Sequence, residues 1–94
     1  MTRIKTHPGA ILKRELKEIG LSANALSLAL GVPSGRITGI LNEKRAITPD
    51  TAVRLAEYFG GAPEFWLNIQ AGHDLSKFEA EKGEQVRSQV RKAG

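Results

Sequence analysis

Ser22-Ala23-Asn24-Ala25-Leu26-Ser27-Leu28-Ala29-Leu30, then Gly31-Val32-Pro33, then Ser34-Gly35-Arg36-Ile37-Thr38-Gly39-Ile40-Leu41-Asn42 is the stretch on which the fold turns. Ser22 suits a helix N-cap, because its hydroxyl oxygen accepts a backbone N–H that the first helical turn leaves unpaired. Leu26, Ala29 and Leu30 supply the buried face of that helix, and Gly31 ends it. After a three-residue turn, Ser34 to Asn42 resumes with Ile37, Ile40 and Leu41 at helical spacing. Two short helices joined by a tight glycine-containing turn have the layout of a helix-turn-helix. Ala25 is small enough for the two helices to cross closely. The same layout also serves as a plain packing unit, so the pattern by itself leaves both readings open.

The flanks carry the same punctuation. His7-Pro8 opens a first helix over residues 8–19, with Ile11, Leu12, Leu16 and Ile19 as its apolar stripe and Gly20 past its end. Thr48-Pro49 is a cap followed by a first-turn proline. It opens a helix with Val53, Leu55, Ala56 and Phe59 inside, closed by Gly60-Gly61. Pro63 opens a fifth helix with Phe65, Trp66 and Ile69 on one side. Beyond Gly72 the periodicity weakens, and Ser76-Lys77-Phe78-Glu79 matches a capping box for a new helix start. From Glu79 to Gly94 charges alternate and only Val86 and Val90 are large and apolar, which predicts a marginal helix or a frayed tail. Gly83 weakens that helix further. No segment alternates as a strand does. The expectation is an all-α, five-helix domain over residues 1–78 with a charged extension over 79–94.

Ninety-four residues make one domain at most, too few to bury both a core and a deep catalytic cleft. The chain has no cysteine, which excludes disulfides, a thiol nucleophile and Cys-based metal sites. The N-terminal stretch has no apolar h-region and no run is long enough to span a membrane, so a cytoplasmic protein without a membrane role is expected. The formal net charge of +4 is unevenly spread: residues 1–48 carry +5, residues 49–73 carry −2 and residues 74–94 carry +1. A basic first half favours an anionic partner, nucleic acid first.

Four motifs then occur in order: His7-Pro8-Gly9-Ala10-Ile11-Leu12, Leu30-Gly31-Val32-Pro33, Ile40-Leu41-Asn42-Glu43-Lys44-Arg45-Ala46-Ile47-Thr48, and Phe65-Trp66-Leu67-Asn68-Ile69-Gln70. Together they resemble the HigA/VapI antitoxins, members of the phage-repressor-like helix-turn-helix family. The resemblance covers residues 7–78 and leaves the tail out. It implies a lambda-repressor-like domain that dimerises, represses its own promoter and neutralises a small HigB-type mRNA-cleaving toxin. A helix-turn-helix regulator with no toxin partner is the nearest alternative.

The resemblance places Ser34–Asn42 in the major groove, with Ser34, Gly35, Arg36, Thr38 and Gly39 facing out. Arg36 is the best base reader among them, since its planar fork matches guanine O6 and N7, although a phosphate contact would serve it too. Ser34 and Thr38 can donate or accept with less selectivity. Gly35 and Gly39 stand where phage repressors often carry glutamines. They either allow close approach of the backbone or mark a permissive surface, and in both cases direct readout is sparse and DNA shape carries much of the discrimination. Ser22 sits where a helix N-terminus meets a phosphate, and also serves as a cap. Lys44 and Arg45 match the family's Lys-Arg step and suit phosphate neutralisation, or a solvated surface. Asn42 suits the end of its own helix.

Phe65, Trp66 and Ile69 are the expected dimerisation residues, with Trp66 also able to seal the core. A two-fold dimer sets two recognition helices about 34 Å apart and implies a palindromic operator. Lys13, Arg14, Lys17 and Glu18 on the first helix suit either a toxin surface or solubility. No enzyme is expected. His7 belongs to a helix start, His73 beside Asp74 to a helix end, and no triad, phosphate loop or carboxylate pair stands out. No metal or cofactor is called for.

Overall fold

The computed structural model describes residues 3–94, so Met1 and Thr2 of the expected 1–78 unit lie outside it. Five helices follow in order: α1 Pro8–Ile19, α2 Ala23–Leu30, α3 Ser34–Leu41, α4 Pro49–Phe59 and α5 Pro63–Phe78. A π-helical turn, Glu79–Gly83, then leads into α6, Glu84–Gln89. No strand occurs among the described residues. The all-helical architecture agrees with expectation.

The helix ends obey local chemistry. Ser22 Oγ accepts from Ala25 N at 3.0 Å, and the Thr48 side chain accepts from Thr51 N. Gly20 (φ 67°) and Gly31 (φ 71°) take the left-handed conformation. Leu21 N donates to Leu16 O and Val32 N to Ser27 O, both at 3.0 Å, which pairs the last free carbonyls of α1 and α2.

Leu12, Leu16, Leu26, Leu30, Ile37, Ile40, Leu55 and Trp66 form the core together with Ala52 and Ile47. Ile19, Ala29 and Val53, expected inside, are exposed. On α2 and α4 the inward stripe is narrow and partly filled by Ser27 and Thr51, both buried. The Ser27 hydroxyl is satisfied by Asn24 O at 2.7 Å, so a small polar residue replaces an apolar one without penalty.

The capping box at Ser76 does not form, and His73 does not sit at a helix end. Both lie inside α5, which runs past Gly72 unbroken. The extended N-terminal segment explains why: Lys5 N donates to Ser76 Oγ (2.8 Å), and the Lys5 carbonyl accepts from His73 Nδ1 (2.7 Å). A Cβ on Gly72 would stand 3.4 Å from the Lys5 stem, an ordinary contact, so the close approach of this segment does not depend on the glycine. The tail is helical to Gln89 rather than frayed. Glu79 and Arg87 form a bidentate pair (2.5 and 2.6 Å), and a Cβ on Gly83 would come within 2.7 Å of the Glu79 carboxylate. The helical run from Pro63 to Gln89 is about 40 Å long at 1.5 Å per residue. It accounts for a radius of gyration of 16.0 Å, against roughly 12 Å for a compact chain of this length.

Helix α1 meets α3 at Gly9, where a Cβ would overlap the Ile40 carbonyl oxygen. Gly9→Ala is therefore expected to cost about 3 kcal/mol or more, read as a lowered denaturant midpoint. His7 caps α1 by accepting from Gly9 N through Nδ1 (2.8 Å) and packs edge-on against His73, with ring centroids 4.9 Å apart. Burial, then the neighbouring His73, holds the His7 pKa below its usual value. The neutral ring is the stable one, so stability is full above pH 6.5 and falls as pH drops toward the folded-state pKa, below which the loss saturates. Denaturant midpoints at about pH 7.5 and 5.5 test this; His7→Asn, which keeps a capping oxygen, should flatten the difference.

Candidate nucleic-acid interface

Helix α3 presents an open N-terminus. Pro33 occupies its N-cap and offers no side-chain cap, so the first N–H groups of the helix have no side-chain acceptor. Ser34, Gly35 and Thr38 are exposed beside it, while Ile37 and Ile40 are fully buried. A Cβ on Gly35 would meet nothing within 4 Å. Thr38 Oγ1 donates to Ser34 O at 3.0 Å, so its proton is engaged inside the helix and its oxygen is left to accept. The Ser22 oxygen already accepts the cap bond from Ala25, which leaves its proton for an anion.

Arg36 does not extend freely into solvent. Its Nη1 donates to Asp50 Oδ2 on the first turn of α4 at 2.5 Å. The same oxygen accepts from Arg54 Nε at 3.0 Å, and Arg54 Nη1 donates to the Leu30 carbonyl at the end of α2 (2.8 Å). Arg54 first, then Arg36, holds the Asp50 carboxyl below the usual carboxylate range. Arg36, Arg45, Arg54, Thr48 and Asp50 line one shallow cleft of about 260 Å³ with three cations around one anion. Sequence reasoning missed Asp50 and Arg54. They stand four apart, a spacing that brings side chains together on a helix, but nothing in the sequence ties them to Arg36.

Gly39 is not the bare surface it resembles. A Cβ there would stand 2.5 Å from Arg45 Cδ and 2.7 Å from Arg45 Cγ, so the aliphatic stem of Arg45 lies across it. The missing side chain makes room for Arg45 rather than for a base. Asn42 occupies the C-cap of α3 as expected, and Glu43 follows in the left-handed region (φ 59°). Lys44 N and Arg45 N both donate to Gly39 O (2.8 and 3.1 Å), folding the basic step back under α3. Gln70, buried in α5, completes the loop by accepting from Ile47 N (2.8 Å) and donating to Asp74 (2.9 Å). Its part was not legible in the sequence.

The expected association residues divide. Trp66 is 4% exposed and packs against Phe59 and Phe65, so it belongs to the core and offers no area to a partner. Phe65 is exposed and Ile69 half-buried. Leu75 and Phe78, farther along α5, are also exposed. Adjacent residues of a helix point about 100° apart, which is why Phe65 and Trp66 cannot share a face. Lys13, Arg14, Lys17 and Glu18 are exposed on α1. Among the described residues no group of three His, Asp or Glu side chains is arranged to hold a metal, and no helix is long and apolar enough to cross a membrane.

This geometry is that of a helix-turn-helix domain. The helix-turn-helix family model matches residues 12–67, and the chain belongs to that family. Virulence-associated protein I of Dichelobacter nodosus is 53% identical over 77 residues, which are 81% of this chain and 71% of that one. A HigA-family addiction module antidote protein from Coxiella burnetii is 42% identical with a TM-score of 0.91, covering 97% of this chain and all of that one. Antitoxin GraA, solved in complex with its operator, is 38% identical with a TM-score of 0.93, covering 100% of this chain and 96% of that one. The likeness to HigA/VapI antitoxins drawn from the four motifs is borne out.

The two glycines of α3 should respond differently to substitution. Gly35→Ala meets open space and is expected to stabilise the protein by up to about 1 kcal/mol. Gly39→Ala should gain less, because Arg45 must be expelled. Equal denaturant midpoints for the two variants would contradict the covering role of Arg45.

Proposed function

We propose that this chain is the antitoxin of a toxin–antitoxin pair that binds its own operator as a dimeric repressor. The observation that carries the reading is the likeness to operator-bound GraA over the whole chain, joined to the open face of α3. Residues 1–78 act as the DNA-binding unit with its dimerisation helix, and residues 79–94 as an extension of that helix. The α3 face enters the major groove, where Arg36 reads a base and Ser34 and Thr38 add weaker polar contacts. Ser22, Lys44 and Arg45 hold phosphates, which fixes register and supplies affinity without sequence information. Gly35 contributes no side chain, so DNA shape carries part of the discrimination.

Dimerisation uses the exposed side of α5. Phe65 and Ile69 take part, and Leu75 and Phe78 extend the same helix's exposed apolar surface. A two-fold dimer presents two copies of α3 to a palindromic operator. The toxin partner is a HigB-like mRNA-cleaving protein, held without any catalytic step by this chain.

Gel shifts on the DNA upstream of the chain's own reading frame, with and without the product of the neighbouring frame, test the reading. Retarded complexes that the neighbour's product alters support an antitoxin. Retardation with no response, and no toxin-like neighbouring frame, supports a stand-alone regulator. Lys44→Ala with Arg45→Ala should weaken binding to all duplexes alike. It should also reduce the slope of log affinity against log salt by about 2, one for each phosphate left without its cation. A selective loss on the operator alone would reassign these residues to base reading.

A further inference from the structure

We propose that Asp50 is a positioning residue for sequence discrimination, holding the Arg36 guanidinium so that its unused N–H groups face one guanine from the first turn of α3. The proposal rests on the DNA-binding reading above. Its basis is the chain of contacts that fixes Arg36 before any partner arrives. Leu30 O accepts from Arg54, Arg54 donates to Asp50, and Asp50 accepts from Arg36. These bonds tie the end of α2, the start of α3 and the start of α4 to one carboxylate oxygen. Arg36 is bound only through Nη1 among the described residues, so Nη2 and Nε remain open to a base edge.

A free surface arginine would neutralise any phosphate within reach and raise affinity for all sequences. An arginine already neutralised on one side gains less from a phosphate and loses less side-chain entropy on meeting a correctly placed guanine. Asp50 also repels phosphates wherever the fit is poor. Both effects raise the ratio of operator to random binding rather than affinity itself. With Gly35 bare, Arg36 is the only long side chain on the outward face of α3, so its placement decides most of the direct readout.

The test measures fluorescence anisotropy of the full chain on two duplexes, one from its own upstream DNA and one scrambled at equal length and composition. Asp50→Asn is expected to tighten binding to the scrambled duplex and to lower the operator-to-scrambled ratio about tenfold. In wild type, 7-deazaguanine placed at one operator guanine should weaken binding; in Asp50→Asn and in Arg36→Ala the same replacement should be silent. A purely structural role for Asp50 would not move that base-specific readout. Arg54→Met leaves the Arg36–Asp50 charges in place and removes the second anchor, so it should lower the ratio in the same direction. Thermal melts identify any variant that fails to fold. A ratio preserved in both variants, or an operator affinity that rises as much as the scrambled one, overturns the proposal while leaving the DNA-binding reading intact. Equal binding of both duplexes by wild type sinks that reading and the proposal with it.

Discussion

The missing Cβ of Gly9 seats α3, the helix proposed to face DNA, against α1. The first turn of α1 lies against the Ile40 carbonyl near the end of α3, closer than any side chain allows. His7 caps that same turn and meets His73 of α5. Three helices therefore converge on one turn, and the C-terminal end of α3 is held by this backbone contact as well as by the buried side chain of Ile40. Backbone does not change rotamer.

That seating matters because α2 and α3 have eight residues each, well short of the length at which an isolated helix is stable in water. Their stability comes from outside. Leu26, Ile37 and Ile40 bury themselves completely, the Gly31 turn satisfies the last carbonyls of α2, and Arg54 adds a bond to Leu30 O. Gln70 does the same for the loop after α3. Its bond to Ile47 N carries the basic Lys44-Arg45 step on α5, the helix proposed to hold the dimer together. The loop after α3 and helix α5 are thus connected through one buried amide.

Helix starts and stops were legible because proline, glycine and capping hydroxyls act on their immediate neighbours. His7-Pro8, Ser22, Gly31 and Thr48-Pro49 all behave as their local chemistry predicts. Core membership was less legible. Val53 and Ala29 fall off a stripe narrower than their hydropathy suggests, and Ser27 and Thr51 enter it with hydroxyl partners that the linear sequence does not show. The misread capping box has the same origin. Ser76 has the spacing of a cap, but its hydroxyl serves Lys5, which lies 71 residues away. Gly39 and Arg36 are the instructive cases at the site. Both occupy the expected face, yet each is defined by a residue that folding brings to it, Arg45 in one case and Asp50 in the other.

These two contacts change what the charge gradient means. A basic half carrying +5 suggests affinity for any nucleic acid, and uniform affinity is of little use to a repressor facing an excess of random sites. The structure divides the cations by their freedom. Lys44 makes no side-chain bond among the described residues and is available to phosphates. The stem of Arg45 is laid over Gly39, which sets its direction without neutralising it. Arg36 is both directed and partly neutralised. The freedom of positive charge therefore declines from the loop toward α3, with the least free cation on the helix proposed to read sequence. Glycine at 35 fits that gradient, since it adds no competing contact beside Arg36. On the proposed reading, such a surface uses its free cations for position and leaves discrimination to one well-held side chain and to the shape of the groove that receives it.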